Sequence, residues 1–283
     1  MAATTLYQGQ RVALLTLHGK QHLIQPLLQE ALGCQLVHTD GFDTDQLGSF
    51  SRDIARLDSQ LDTARKKAIM GMSLTGERIG IASEGSFGGD PFGGFIPWNT
   101  ELVLWVDKHL DHEVMGIAQG PAQSHQKYIQ SWQELEQFTH EARFPEHHLT
   151  LRPDHENHPL LFKGLHSTEK LKDAFLAAQA ASSKQIVFVE NDLRAFCNPT
   201  RQNIIRQATQ DLIQKLQSSC PACAKPGYWV SKRSPGLACR ACHRPTRLPV
   251  SELWLCKACD HQETKPLNLG QWAEPSQCDS CNP

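Results

Sequence analysis

Hydrophobic residues follow two alternating patterns along residues 1–218. Short apolar runs predict strands at residues 11–17, 34–38, 79–82, 101–106, 114–117 and 185–190. Apolar positions at helical spacing predict helices at residues 22–32, 53–72, 132–144, 167–181 and 200–217. Because strands and helices alternate, we expect an α/β fold in which a mixed sheet is flanked by helices.

Three segments mark the ends of these elements. Asn198 and Pro199 are typical of an N-cap and a first helical turn, so they place the start of the last helix. The glycine-rich segment 83–95 (SEGSFGGDPFGGF) predicts a loop. Residues 144–159 hold three prolines and four histidines around a short strand, and they predict a seam between two halves of the core near residues 145–160.

Cysteine is concentrated after residue 218. Eight of the ten cysteines form four Cys-x-x-Cys pairs: Cys220 and Cys223, Cys239 and Cys242, Cys256 and Cys259, Cys278 and Cys281. Two such pairs supply the four thiolates of a tetrahedral zinc site. We therefore expect an α/β domain at residues 1–218 and tandem four-cysteine zinc ribbons at residues 219–283.

The four cysteine pairs can share the two ions in either of two ways. The spacers 224–238 and 260–277 favour sequential pairing, in which the first two cysteine pairs bind one ion and the last two bind another. An interleaved arrangement, with Cys220 and Cys223 sharing an ion with Cys256 and Cys259, uses the same residues. Both predict two structural zinc ions, because four protein ligands leave no open position for catalysis.

Charge adds a local feature. The net charge of −2 gives no overall attraction to nucleic acid or to membranes. The first ribbon, however, is basic and carries two aromatic residues: Lys225, Lys232, Arg233, Arg240, Arg244 and Arg247, with Tyr228 and Trp229. This pattern is found in nucleic-acid-binding surfaces and also in solvated or protein-docking faces.

No export signal and no long apolar run is found in the sequence. An apolar run of roughly 18 residues would be needed to span a membrane. We expect a cytoplasmic protein that does not insert into membranes.

Three segments of the α/β domain predict a site for a phosphate-bearing ligand. They are the loop after the first strand (Thr16, His18, Gly19, Lys20), the triplet Arg65-Lys66-Lys67, and Ser83-Glu84-Gly85-Ser86. Ligands collect where strands of an α/β sheet end, and lysines and glycine N–H groups suit phosphate. Taken singly, such a triplet is usually a solvated helix face, and such glycines usually form a flexible connector.

A second polar cluster follows the strand predicted at residues 185–190. It comprises Glu190, Asp192, Arg194, Asn198 and Arg201. Arginines beside a helix N-terminus suit phosphate or carboxylate ligands. Asn198 also serves as a helix cap and Asp192 suits a turn, so a purely structural role remains open.

Four segments of the sequence resemble a known group of proteins. TLHGK (16–20), LDTARKKAIMGMSLTGERIGIASEGSFG (61–88), NDLRAFCNPTR (191–201) and the closing CDSCNP are similar to an uncharacterised bacterial family. That family is defined by a domain of unknown function with C-terminal tandem four-cysteine zinc ribbons. The resemblance implies no activity.

A further resemblance covers about residues 11–90 and concerns the inosine/xanthosine triphosphate pyrophosphatases. Thr16 and Lys20 keep the spacing of their Thr-Asn-x-x-Lys loop, and residues 64–68 (ARKKA) and 80–85 (GIASEG) resemble their basic helix and Gly-Ile-Glu-Gly-Gly strand end. Leu17 replaces the asparagine, and two residues separate Ile81 from Glu84.

The resemblance to these pyrophosphatases implies a catalytic mechanism. Glu84, with Asp40 or Asp43, would hold Mg²⁺ and orient a water molecule, while Lys20 and Lys66 would neutralise a triphosphate. The implied reaction is hydrolysis between the α- and β-phosphates. The leading interpretation is therefore a phosphate-binding α/β protein, for which the resemblance implies nucleotide pyrophosphohydrolase activity, and the alternative is a nucleic-acid- or protein-binding adaptor.

Overall fold

Strand pairing defines the first half of the protein, for which a computed structural model describes residues 6–44 and 58–283. The strands are β1 (Arg11–Leu15), β2 (Gln35–Thr39), β3 (Ile79–Gly89), β4 (Pro97–Asp107) and β5 (His112–Pro121). Their order is β2-β1-β3-β4-β5, with β1 parallel to β2 and β3, and with β3, β4 and β5 antiparallel. Helix α1 (Gln21–Leu32) connects β1 to β2, and α2 (Gln60–Thr75) precedes β3.

Helices cover both faces of this mixed sheet. On one face, Ala64, Ala68 and Met72 of α2 pack against the sheet, and a Cβ at Gly80 would lie 2.7 Å from the Ala68 carbonyl oxygen. On the other face, a Cβ at Gly116 of β5 would lie 2.2 Å from the Ala208 carbonyl oxygen of α5 (Pro199–Gln217). The two glycines thus allow both helices to approach the strands closely. The predicted mixed sheet flanked by helices is confirmed.

A second antiparallel sheet follows. Its strands β6 (Gln126–Ile129), β7 (Leu149–Pro153), β8 (Phe162–Leu165) and β9 (Val187–Asn191) lie in the order β6-β9-β7-β8. Helices α3 (Trp132–Glu141) and α4 (Thr168–Ala181) bury Phe138 and Phe175 in its apolar core. Residues 145–160, where the sequence predicts a seam, contain β7, an inner strand of this sheet.

The chain divides into two compact units, Met1–Ile213 and Gln214–Pro283, called here the α/β unit and the zinc unit. In the zinc unit, β10 (Trp229–Pro235), β11 (Pro249–Leu255) and β12 (Gln262–Pro266) form an antiparallel sheet in that order.

Several predicted boundaries differ from the observed ones. The loop predicted at residues 83–95 is mostly strand, because β3 continues to Gly89 and β4 begins at Pro97. Glycine is unfavourable in strands, but here Gly85 lies beneath bulky side chains that leave no room for a Cβ. Of the helix predicted at residues 53–72, residues 53–57 lie outside the described residues. The Asn198 cap is confirmed, since its Oδ1 accepts the Arg201 N–H at 3.0 Å.

Candidate functional site

The eight paired cysteines converge in two groups. Cys220, Cys223, Cys256 and Cys259 form one, and Cys239, Cys242, Cys278 and Cys281 form the other. Between the two pairs of each group, Sγ–Sγ distances are 3.7 Å (Cys220 to Cys259), 3.7 Å (Cys223 to Cys256), 3.8 Å (Cys239 to Cys281) and 3.6 Å (Cys242 to Cys278). Tetrahedral zinc with Zn–S bonds of about 2.3 Å places its sulfurs about 3.8 Å apart. The donor sets therefore fit two zinc ions.

The favoured sequential pairing was wrong, and the strand topology gives the reason. The antiparallel register pairs Trp229 with Leu255, so the cysteine pairs before β10 and after β11 meet at one end of the sheet. The register also pairs Pro235 with Pro249 and Ser251 with Pro266, which brings the pairs after β10 and β12 to the other end. Each intervening strand carries the chain from one end to the other, so the pairs alternate between sites.

The backbone at the first three pairs repeats one turn. The first cysteine donates its N–H to a carbonyl five residues later and accepts the N–H four residues later, as in Cys220 with Lys225 and Ala224, both at 2.9 Å. The residue after each second cysteine is left-handed, with φ of 61° at Ala224, 59° at His243 and 57° at Asp260. These turns hold both sulfurs of a pair on one side of the chain.

Three of the six basic residues of the first ribbon are paired with acids. Arg233 Nε lies 2.9 Å from Glu252, Arg247 Nε lies 2.9 Å from Asp279, and Arg240 Nη1 lies 3.4 Å from Glu274. The acids come from later in the chain and neutralise part of the segment that is basic in sequence. This arrangement weakens the field available to attract a nucleic-acid backbone.

In the α/β unit, Lys20 and Glu84 lie in a buried cluster of charges. The pairing of β1 with β3 ends at Leu14 and Ile81, and beyond it the Lys20 ammonium donates to the Ser83 carbonyl oxygen. Burial lowers the pKa of Lys20 to about 8, partly offset by the attraction of Glu84. The Lys20 side chain thus donates to β3 beyond the point where β1 stops pairing with it.

Lys67 and Glu84 form the first ion pair of this cluster. Lys67 Nζ of α2 lies 2.5 Å from Glu84 Oε1, with side-chain exposures of 11% and 4%. Gln60, at the start of α2, donates to the Glu84 and Thr100 carbonyl oxygens at 2.6 and 3.1 Å. The N-terminal half of α2 is thereby fixed to β3 and β4.

Glu101 and Arg201 form the second pair. Arg201 Nε donates to Glu101 Oε1 at 2.7 Å, and the two side chains are 2% and 0% exposed. A Cβ at Gly85 would lie 2.2 Å from Glu101 Oε1 and 2.7 Å from Arg201 Nη2, so a larger residue at this strand position would displace the ion pair. Because Lys20 is coupled electrostatically to both pairs, we treat Lys20, Lys67, Glu84, Glu101 and Arg201 as one unit, the charge cluster.

Lys66 does not join the charge cluster. Its side chain is 54% exposed, and its Nζ lies 2.5 Å from Asp58. On α2 the buried side runs through Thr63, Lys67 and Gly71, which are spaced four residues apart, and Lys66 lies outside that line. The small residues four positions before and after Lys67 are the sequence signal that distinguishes it from Lys66.

The remaining predicted ligand residues surround the cluster. Thr16 is buried where β1 and β2 end and accepts the His18 N–H at 3.3 Å. Gly19 is left-handed, with φ of 69°. Ser86 donates to Gln60 Oε1 at 3.3 Å. Arg194 contacts Asp192 at 2.5 Å and the Phe196 ring, whereas the two ion pairs of the charge cluster join Lys67 to Glu84 and Arg201 to Glu101.

Among the described residues, magnesium has no comparable donor set. In residues 6–44 and 58–283, the groups of three or more close His, Cys, Asp or Glu donors are the two cysteine groups. Asp40 and Asp43, the expected partners of Glu84, are exposed.

One comparison with known proteins identifies the family. The family described as Domain of unknown function (DUF6671) matches residues 67–283. The chain belongs to this family. The DUF6671 match includes Lys67, Glu84, Glu101, Arg201 and all eight ligand cysteines, and it begins after Lys20.

No curated protein matches the chain. Across the described ranges, no helix combines the length and the apolar character that crossing a bilayer requires. The sites of this DUF6671 member are therefore interpreted from their own chemistry.

Proposed function

We propose that the α/β unit binds a phosphate-bearing ligand at the charge cluster, and that the zinc unit is structural. The observation that carries the proposal is the charge count of the cluster. Lys20, Lys67 and Arg201 supply three cations against the two carboxylates Glu84 and Glu101, all within largely buried side chains. A surplus of buried positive charge is costly, and a bound anion would offset that cost.

The position of the cluster supports the same ligand class. Lys20 follows the carboxyl end of β1, beside the left-handed Gly19, and Glu84 lies on the neighbouring parallel strand β3. This is the edge of a parallel α/β pairing where ligands generally bind. A polyphosphate at this edge would face both lysine ammonium groups.

We further propose that the bound ligand is hydrolysed with magnesium. Glu84 is paired with Lys67 in the ligand-free arrangement. A phosphate that attracts Lys67 would release the carboxylate, which could then hold Mg²⁺ and orient a water molecule for attack on the α-phosphorus of a nucleoside triphosphate. Pyrophosphate and a nucleoside monophosphate would leave. This mechanism rests on the pyrophosphatase resemblance and requires that magnesium bind after the phosphate.

The two adjacent lysines of α2 provide a matched test of ligand binding. We expect tripolyphosphate to bind the zinc-loaded chain, Lys67→Gln to weaken binding at least tenfold, and Lys66→Gln to change it less than twofold, measured by isothermal titration calorimetry. The difference arises because Lys67 lies in the cluster and Lys66 pairs with Asp58 in solvent. Equal losses in both variants, or no binding at millimolar concentrations, would contradict the proposal.

Hydrolysis is tested separately. Glu84→Gln should abolish Mg²⁺-dependent pyrophosphate release from nucleoside triphosphates while tripolyphosphate binding persists. The control is Glu113→Gln, which removes a half-buried carboxylate of β5 that pairs with Arg65 of α2 at 2.7 Å. No release by the unmodified protein in a broad screen of nucleoside triphosphates, or unchanged release in Glu84→Gln, would exclude the mechanism.

The adaptor alternative has less support. Its main observation was the basic first ribbon, and three of those arginines are paired with Glu252, Glu274 and Asp279. We therefore do not propose nucleic-acid binding as a second function.

A further inference from the structure

An exposed aromatic ring lies beside the loop that carries Lys20. Phe196 is 47% exposed in the turn between β9 and α5. The half-buried His18 ring is nearly parallel to it, with centroids 5.9 Å apart and an interplanar angle of 23°. The Arg194 guanidinium carbon lies 4.8 Å from the Phe196 ring centroid. We call His18, Arg194 and Phe196 the aromatic ledge.

The ledge is held in place from both sides. Asp192, which is almost fully buried, accepts from Arg194 Nε at 3.0 Å and from the backbone N–H groups of Arg194 and Gly164, both at 3.1 Å. On the other side, the His18 N–H donates to Thr16 Oγ1, and a Cβ at Gly19 would lie 3.8 Å from Phe196 Cβ. An exposed phenylalanine is thus fixed by an anchored guanidinium and a packed loop.

The ledge and the charge cluster share two chain segments. His18 is two residues before Lys20, and Phe196 is in the turn that leads to Arg201 on the first turn of α5. A ligand whose phosphates reach Lys20 would therefore place its remaining atoms close to an exposed planar surface. Inorganic polyphosphates have no flat group to cover such a surface, whereas a nucleobase does.

We propose that the aromatic ledge is a nucleobase-stacking subsite, so that the ligand of the charge cluster is a nucleotide; this inference rests on the proposed phosphate site. Bases stack on aromatic rings and arginine planes with little dependence on base identity, because every base has a π-face. The ledge therefore predicts broad base tolerance, with selection against phosphorylated ligands that lack a base.

The test compares GTP with tripolyphosphate by isothermal titration calorimetry on the zinc-loaded full chain, without added magnesium. We expect GTP to bind about tenfold more tightly than tripolyphosphate. Phe196→Leu should remove most of that difference and leave tripolyphosphate affinity unchanged within twofold. His18→Gln should reduce the difference to a smaller extent. The control is Phe92→Leu, since Phe92 is also exposed but lies in the turn between β3 and β4.

Three outcomes would overturn the inference. If GTP and tripolyphosphate bind equally to the unmodified protein, the ledge is not a base subsite, and the phosphate site stands. If Phe92→Leu has the same effect as Phe196→Leu, the gain from the base does not come from the ledge. If neither compound binds, the proposed phosphate site fails and the base subsite fails with it. Tripolyphosphate affinity also serves as the folding control, because an unchanged value in Phe196→Leu would show that this variant is folded.

Discussion

Different interactions stabilise the α/β unit and the zinc unit. In Met1–Ile213, helices cover sheets through apolar clusters such as the one formed by Ala64, Ala68, Met72 and their neighbours. In Gln214–Pro283, the buried cluster consists of Cys220, Tyr228 and Cys256, so its apolar contacts are centred on ligand residues. A small unit of this kind derives most of its folding free energy from metal binding. The two units should therefore respond differently to the same perturbations.

The largest expected difference is the response to zinc removal. Chelation should unfold the zinc unit and leave the α/β unit folded, because structural zinc contributes roughly 10–16 kcal/mol in comparable small domains. Hydrogen exchange measured by mass spectrometry on the full chain, with and without chelator, reports each unit separately. Protection of the zinc unit should return when zinc is added back. Equal loss of protection in both units would remove the distinction.

The next largest effect concerns the pairing of the cysteines. Replacing Cys220, Cys223, Cys256 and Cys259 with serine should leave one zinc ion per chain, because the second group stays complete. The matched variant replaces Cys220, Cys223, Cys239 and Cys242 and should lose both ions. Zinc content measured by mass spectrometry of the native protein distinguishes the two, and sequential pairing would give the reverse result.

Two ion pairs allow a smaller and more local comparison. Glu101→Gln should destabilise the α/β unit by about 3–5 kcal/mol, because it leaves the buried Arg201 without its carboxylate. Asp279→Asn, which breaks the exposed pair with Arg247 in the zinc unit, should cost at most about 1 kcal/mol. Urea unfolding monitored by amide hydrogen exchange gives the change in the free energy of unfolding for each unit. Similar losses of unfolding free energy in the two variants would show that burial does not make the Glu101–Arg201 pair more important for stability than the exposed pair.

The smallest expected effect is on pH dependence. Burial lowers the pKa of Lys20 to about 8, so its ammonium is charged below pH 8 and neutral above it. Tripolyphosphate affinity should therefore fall above pH 8, by at most about tenfold per pH unit, since one proton is lost. Lys20→Arg keeps its charge and should show a flatter profile between pH 7 and 10. Parallel profiles would assign the fall to another group.

The sequence predicted those features that depend on local pattern. The helix start at Asn198 and Pro199 was correct because a cap depends on a few neighbouring residues. The extent of β3 was mispredicted because Gly85, Gly88 and Gly89 are typical of a loop, whereas Gly85 lies in the strand against Glu101 and Arg201, which come from other parts of the chain. Strand propensity does not contain that information.

The candidate sites show the same division. Their residue types were visible in sequence, whereas the choice of Lys67 over Lys66 depends on which side of α2 faces the sheet. Glu101 was predicted only as a strand residue, because its partner Arg201 is far away in sequence. The pairing of the cysteines was mispredicted because it depends on the antiparallel register of β10, β11 and β12. Spacing alone allows either solution.

Interleaved pairing also sets the order in which the zinc unit can assemble during synthesis. Sequential sites would allow the first ion to be enclosed once Cys242 had left the ribosome. Here the ligands Cys220 and Cys259 are 39 residues apart, and Cys239 and Cys281 are 42 residues apart. Neither site can close until Cys259 has been made, so the first two cysteine pairs remain without a complete set of ligands until then. Since longer loops close more slowly, interleaved pairing leaves these cysteines open to oxidation or to capture of the wrong metal for longer than sequential pairing would.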